Sequence, residues 1–151
     1  MGGGIAQITG IVVMKLTGTK VAEAKPANRE RKLCAVLADC GYFTIRLTDD
    51  YKGAELIAQR EGEEPMMIQL KPAPVIDRRY KGDLWMAFPV SKAHKSVGSV
   101  GDWCLIQHDD LVSVFAEMGY TESPSWTEGG GYSTPLPPSK TLREKLEPYC
   151  L

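Results

Sequence analysis

At 151 residues, with 43% hydrophobic and 25% charged side chains, the chain has the size and composition of one globular domain with a true core. A net charge of −1 gives no overall attraction to nucleic acid, and no run of about 20 apolar residues is present to span a bilayer. The opening Met1-Gly2-Gly3-Gly4 lacks the basic and apolar segments of a secretory signal, and Ala6 stands where myristoylation wants Ser or Thr, so a cytoplasmic protein without membrane attachment is expected.

Residues 1–10 are Gly-rich and are expected to fray. Residues 10–16 (GIVVMKL) form an apolar run too short to separate strand from helix. Residues 20–28, polar and holding Pro26, read as a linker. Residues 28–41 give the best helix. Asn28 suits the N-cap and Gly41 the C′ position, and Leu33, Val36, Leu37 and Cys40 make one apolar stripe. Residues 42–47 alternate as a strand, 48–53 (TDDYKG) read as a turn, 54–60 as a second strand, 61–65 as a hairpin connection and 66–71 (MMIQLK) as a third strand. Pro72 and Pro74 interrupt regular pairing before the basic stretch IDRRYKGD.

Further on, residues 84–88 read as a buried strand and 89–102 as a mobile loop. Residues 103–107 follow as another strand and 109–118 as a helix, with Asp109 and Asp110 suiting its dipole. Residues 124–138 read as a Gly-, Ser- and Pro-rich loop and 139–147 as a short helix. The order suits an α+β or mixed α/β domain around one sheet. Cys34, Cys40, Cys104 and Cys150 show no CxxC or zinc spacing, and reduced, mostly buried thiols are expected.

Charge is unevenly spread. Residues 71–95 carry Lys71, Arg78, Arg79, Lys81, Lys92 and Lys95 against Asp77 and Asp83, whereas 109–128 carry five acids and no Lys or Arg. A basic face fits this pattern, and so does a merely solvated surface.

The chemistry-bearing pattern lies on the second and third strands. Strand alternation puts Gln69 and Lys71 on one side, and antiparallel pairing through 61–65 brings Glu55 beside them. A carboxylate and an amide oxygen are hard ligands for Mg²⁺, and a neighbouring ammonium stabilises charge developing on a phosphate. By spacing alone, a cross-strand Glu–Lys pair on a solvated face explains the same residues.

The segments RLTDDYKGAELIA and MMIQLK resemble the core of PD-(D/E)xK nucleases, in which an acid opening one strand is followed by a strand ending in (D/E/Q)-x-Lys. The text downstream (RRYKGDLW, MAFP, a Trp103–Leu111 junction, LEPY) is similar to that of a small bacterial and phage family with this core, over roughly residues 29–151. The resemblance implies a restriction-endonuclease-like domain over 29–151, with one central mixed sheet flanked by helices. Residues 1–28 form an extension, or a strand plus linker. It implies metal-dependent DNA cleavage with Mg²⁺ (or Mn²⁺), metal ligation by Glu55 and Gln69, catalysis by Glu55, Gln69 and Lys71, and assembly as a dimer or higher oligomer.

Glu30 in the first helix is an additional candidate acid, though a first-turn Glu also suits the helix dipole. Arg78, Arg79, Tyr80, Lys81, Lys92 and Lys95 are the candidate DNA contacts. Asp49 and Asp50 read either as the motif's early acid or, as favoured here, as caps of a turn; His108 reads either as a catalytic residue or, more simply, as a cap, with Asp109, of the helix that follows. Trp85, Trp103 and Trp126 are expected in the core or at an interface. Glu55 stands where the family usually has Asp, and Gln69 where the standard motif has an acid. A catalytically inactive nuclease fold serving as a nucleic-acid- or protein-binding module is therefore the alternative.

Overall fold

The structure, a computed structural model, describes residues 11–14, 28–51, 53–80, 82, 84–91 and 103–151. The fraying expected for 1–10, most of the linker, the loop carrying Lys92 and Lys95, and Lys81 lie outside these residues.

A six-stranded mixed sheet organises the chain. Strand β1 (Ile11–Met14) runs parallel to β2 (Phe43–Tyr51), which settles the ambiguous first apolar run as a strand. Strand β3 (Ala54–Gln59) pairs antiparallel with β2 and with β4 (Met66–Leu70). Strand β4 then lies parallel to β6 (Leu84–Pro89), and β6 antiparallel to β7 (Trp103–Gln107). A separate two-stranded ribbon joins β5 (Val75–Asp77) to β8 (Gly131–Ser133).

Helix α1 (Asn28–Asp39) covers one face of the sheet. Leu33, Cys34, Val36 and Leu37 pack there on Leu56, Ala58, Ile68, Ala87 and Trp103. The helix ends because Gly41 adopts a left-handed φ of 89°. Gly41 N–H then donates to Ala38 O at 3.0 Å and Tyr42 N–H to Leu37 O at 2.9 Å, a Schellman closure. The other face is covered by α2 (His108–Glu117) and α4 (Lys140–Leu146). Leu111, Phe115, Leu142 and Leu146 pack there with Met86, Phe88 and Ile106. The one-turn helix α3 (Pro124–Thr127) precedes β8.

Three expectations are corrected. Residues 48–51 are not a turn but the end of β2. The chain enters β3 by way of Gly53, which takes a φ of 86°. Asp49 is therefore an exposed strand residue rather than a turn cap. The supposed loop 124–138 holds α3 and β8, because β8 finds its partner in β5, inside the basic stretch, and such a distant pairing leaves no local signal. Pro89 stays in β6 opposite Trp103 instead of opening a loop.

Candidate functional site

The β2–β3 hairpin is irregular at one place. Arg46 faces Leu56 and Tyr51 faces Ala54, so residues 47–50 of β2 stand against Glu55 alone on β3. On its other side β3 follows β4 in register from Ala58↔Met66 to Leu56↔Ile68, where the ladder stops. Bulges of this kind re-aim side chains at the margins of sheets. Beyond the last paired residues, the backbone N–H of Leu70 donates to Glu55 Oε2 at 3.2 Å, so a side chain takes over where the backbone ladder ends. Gln69 Nε2 lies 3.5 Å from Leu70 O. Glu55 and Gln69 thus approach the two polar groups of the same residue, the one between Gln69 and Lys71.

Gln69 is buried and Glu55 half-buried. Within electrostatic reach of Glu55 is Glu30, in the first turn of α1, whose Oε1 pairs with Arg46 Nε at 3.0 Å. Burial pushes the Glu30 carboxyl above its ordinary value. Arg46 pulls it the other way, and the charge on Glu55 adds to the upward push. Glu30 is thus more than a residue answering a helix dipole, because α1 lays it against the sheet beside a second carboxylate. Arg46, on the α1 face of β2, was not singled out from the sequence. Its only signal is a cation at a position of an alternating strand that faces the core.

Lys71 turns toward a second polar group. Its Nζ sits 5.4 Å from the centroid of the Tyr80 ring, and its charge helps to lower the Asp77 carboxyl. Tyr80 packs over Gly53, where a Cβ would come within 3.4 Å of the ring. It also meets His108 edge-on, with centroids 5.6 Å apart.

His108 does not cap α2, and neither does Asp109. The N-cap residue is Gln107, with no side-chain cap bond. The imidazole is instead buried, and its Nε2 accepts the backbone N–H of Asp77 at 3.0 Å. Nδ1 must then carry the proton, and it is buried without a hydrogen-bond partner among the described residues. Burial lowers the His108 pKa against the opposing pull of Asp109 and Asp77, so the ring is held neutral.

Of the basic run, Arg78 and Arg79 are exposed and Tyr80 half-buried. Arg79 is clamped by Asp77, with Nη2 to Oδ2 at 2.8 Å, and Arg78 lies over Trp126 with its guanidinium carbon 5.2 Å from the ring centroid. Trp103 is fully buried in the core. Among the described residues, no three of His, Cys, Asp and Glu gather as a ready-made metal cage. At the end of β4 the Glu55 carboxylate meets the Leu70 N–H, and the Gln69 amide nitrogen lies beside the Leu70 carbonyl. No protein family, curated protein or solved structure matches this chain.

Proposed function

We propose that this chain is a metal-dependent DNA endonuclease with a restriction-endonuclease-like domain, hydrolysing phosphodiester bonds at the end of β4. One observation carries the reading: the Glu55 carboxylate reaches the backbone N–H of the residue between Gln69 and Lys71. That bond supports a site in which the acid on β3 works with the amide of Gln69 and the ammonium of Lys71, the residues on either side of Leu70.

The donors suit a hard divalent cation. Glu55 and Gln69 supply oxygens, and the repulsion between Glu30 and Glu55 is of the kind a bound cation relieves. Glu55 and Gln69 would hold Mg²⁺, with Mn²⁺ able to substitute. Bound there, the ion would polarise a phosphoryl oxygen and acidify its own water. Lys71 supplies the fixed positive charge that stabilises the phosphate as negative charge builds on it, and the Tyr80 ring holds that ammonium in place. Cutting both strands of a duplex calls for two such sites, so the acting species is a dimer or higher oligomer in the cytoplasm.

A plasmid-nicking assay tests this proposal. Purified protein nicks or linearises DNA with Mg²⁺ or Mn²⁺ and stops with EDTA. No cleavage of duplex, branched or single-stranded DNA with either ion would remove the enzyme reading. A second reading, a nuclease-fold module that binds without cutting, is favoured by the internal engagement of Arg79 by Asp77 and of Lys71 by Tyr80. DNA affinity without cleavage selects it.

A further inference from the structure

Far along the chain from the site just described, two thiols face one another. Cys104 is the second residue of β7, and Cys150 follows the 3₁₀ turn Glu147–Tyr149 in extended conformation, with φ −76° and ψ 140°. The two form an antiparallel bridge, and Leu151 N–H donates to Trp103 O at 2.9 Å. That bond flanks the pair, so Cys104 and Cys150 stand opposite one another at a non-hydrogen-bonded position. Facing Cα atoms are there about 4.5 Å apart, inside the roughly 4.4–6.8 Å that a disulfide spans. The two Sγ atoms are 2.8 Å apart, and both thiols also approach Leu146 O, at 3.7 Å from Cys104 and 3.6 Å from Cys150. Closing to the bonded separation of about 2.05 Å moves the sulfurs by less than an ångström.

We infer that Cys104 and Cys150 are a modification site, forming an intramolecular disulfide by exchange with a small-molecule disulfide such as oxidised glutathione. Accessibility sets the order of events. Cys104 is fully buried, whereas Cys150 is half-buried. The contact with Cys150 and burial both push the Cys104 thiol above its ordinary value, and Cys150, the more accessible of the two, is the first nucleophile. The Cys150 thiolate attacks one sulfur of the small disulfide and releases one thiolate, giving a mixed disulfide. Cys104 then loses its proton, attacks the Cys150 sulfur and releases the second thiolate. Two protein thiols are oxidised and one small disulfide is reduced to two thiols. Cys34 and Cys40, on α1 and in the turn after it, take no part.

The bond would tie β7 to residues beyond α4 and close a loop containing α2, β8 and α4. The test uses the full chain, fully reduced and then incubated with oxidised glutathione. Alkylation, peptide mapping and thermal unfolding follow. Expected are a 104–150 cross-linked peptide, a Tm raised by roughly 10 °C over the reduced form, and reversal by dithiothreitol. Cys150→Ser should abolish both the cross-link and the shift, and a variant lacking Cys34 and Cys40 should keep both. Glutathione that stays on Cys150 without transfer, a cross-link through Cys34 or Cys40, or a Tm unchanged or lowered by oxidation would each overturn the inference.

Discussion

Two polar groups border the end of β4, and they are built on opposite principles. Around Glu30 the chain gathers charge: two half-buried carboxylates, with Arg46 compensating one of them. Around His108 it keeps the most buried group neutral. The imidazole accepts a backbone N–H, an aromatic edge covers it, and the charges of Lys71, Asp77 and Arg79 stay toward solvent. In the first arrangement burial and the Glu55 charge both raise the Glu30 carboxyl, with Arg46 opposing them. The second keeps its ring uncharged, although the Nδ1 proton is buried without a hydrogen-bond partner among the described residues. The two groups thus differ in whether charge is gathered at the sheet or kept out of the buried position.

Breaking the packing beneath each group has the largest expected effect. Phe115→Ala, beneath the His108 side, should cost about 3–5 kcal/mol, and Leu37→Ala, beneath the Glu30 side, about 2–5 kcal/mol. Urea unfolding measures both.

Next come changes to the chemistry itself. Lys71→Ala should lower cleavage by roughly 10²-fold or more while fold and DNA affinity hold, the scale for losing one preorganised electrostatic group. Glu55→Gln should abolish metal-dependent cleavage, and Glu55→Asp should retain it. Equal nicking rates in Lys71→Ala and wild type would separate the ammonium from the chemistry.

The neutral group is probed by pH. Folding depresses the His108 pKa below its ordinary 6.5, so the unfolded chain binds that proton more readily. The contribution of neutral His108 is therefore fully present above pH 6.5 and is lost as pH falls from there toward the folded value. Unfolding free energies measured on either side of that pH should show the slope, and His108→Phe should flatten it.

The smallest effect belongs to Arg79, whose pair with Asp77 is exposed. Arg79→Glu should leave the fold intact, weaken DNA binding evenly across sequences, and reduce the salt slope by roughly one. Unchanged affinity and slope would remove nucleic acid as the partner of this face.

Local pattern makes α1, α2, α4 and most strands legible, but not the one-turn helix α3. The stripe Leu33–Val36–Leu37 with Gly41 behind it fixes α1 because a helix with a left-handed terminator is specified within a few turns. The β3–β4 hairpin is legible for the same reason, and with it the approach of Glu55 to Leu70, between Gln69 and Lys71. Pairings over distance are not. Strand β5 is three residues long and exists because β8 lies across from it, and the extension of β2 through Asp49 depends on a bulge opposite Glu55. The neighbours of His108 look like a helix start, which points to a cap. Only the fold brings Asp77 to its Nε2, thirty-one positions away. Arg46 escaped notice because nothing adjacent in sequence marks it as the partner of Glu30.

The bridge between residues 104 and 150 has a consequence apart from sulfur chemistry. In the sheet order, β7 is an outer strand, and an outer strand offers unsatisfied N–H and C=O groups to any extended segment that meets it. Here the segment after the 3₁₀ turn takes that place, with Leu151 N–H on Trp103 O. Four of the five residues of the strand WCLIQ, all but Gln107, are hydrophobic and buried, the kind of strand that templates edge-to-edge association when left open. Two residues laid along it act as a selvedge, finishing the side of the sheet on which another copy of the chain could otherwise continue the weave.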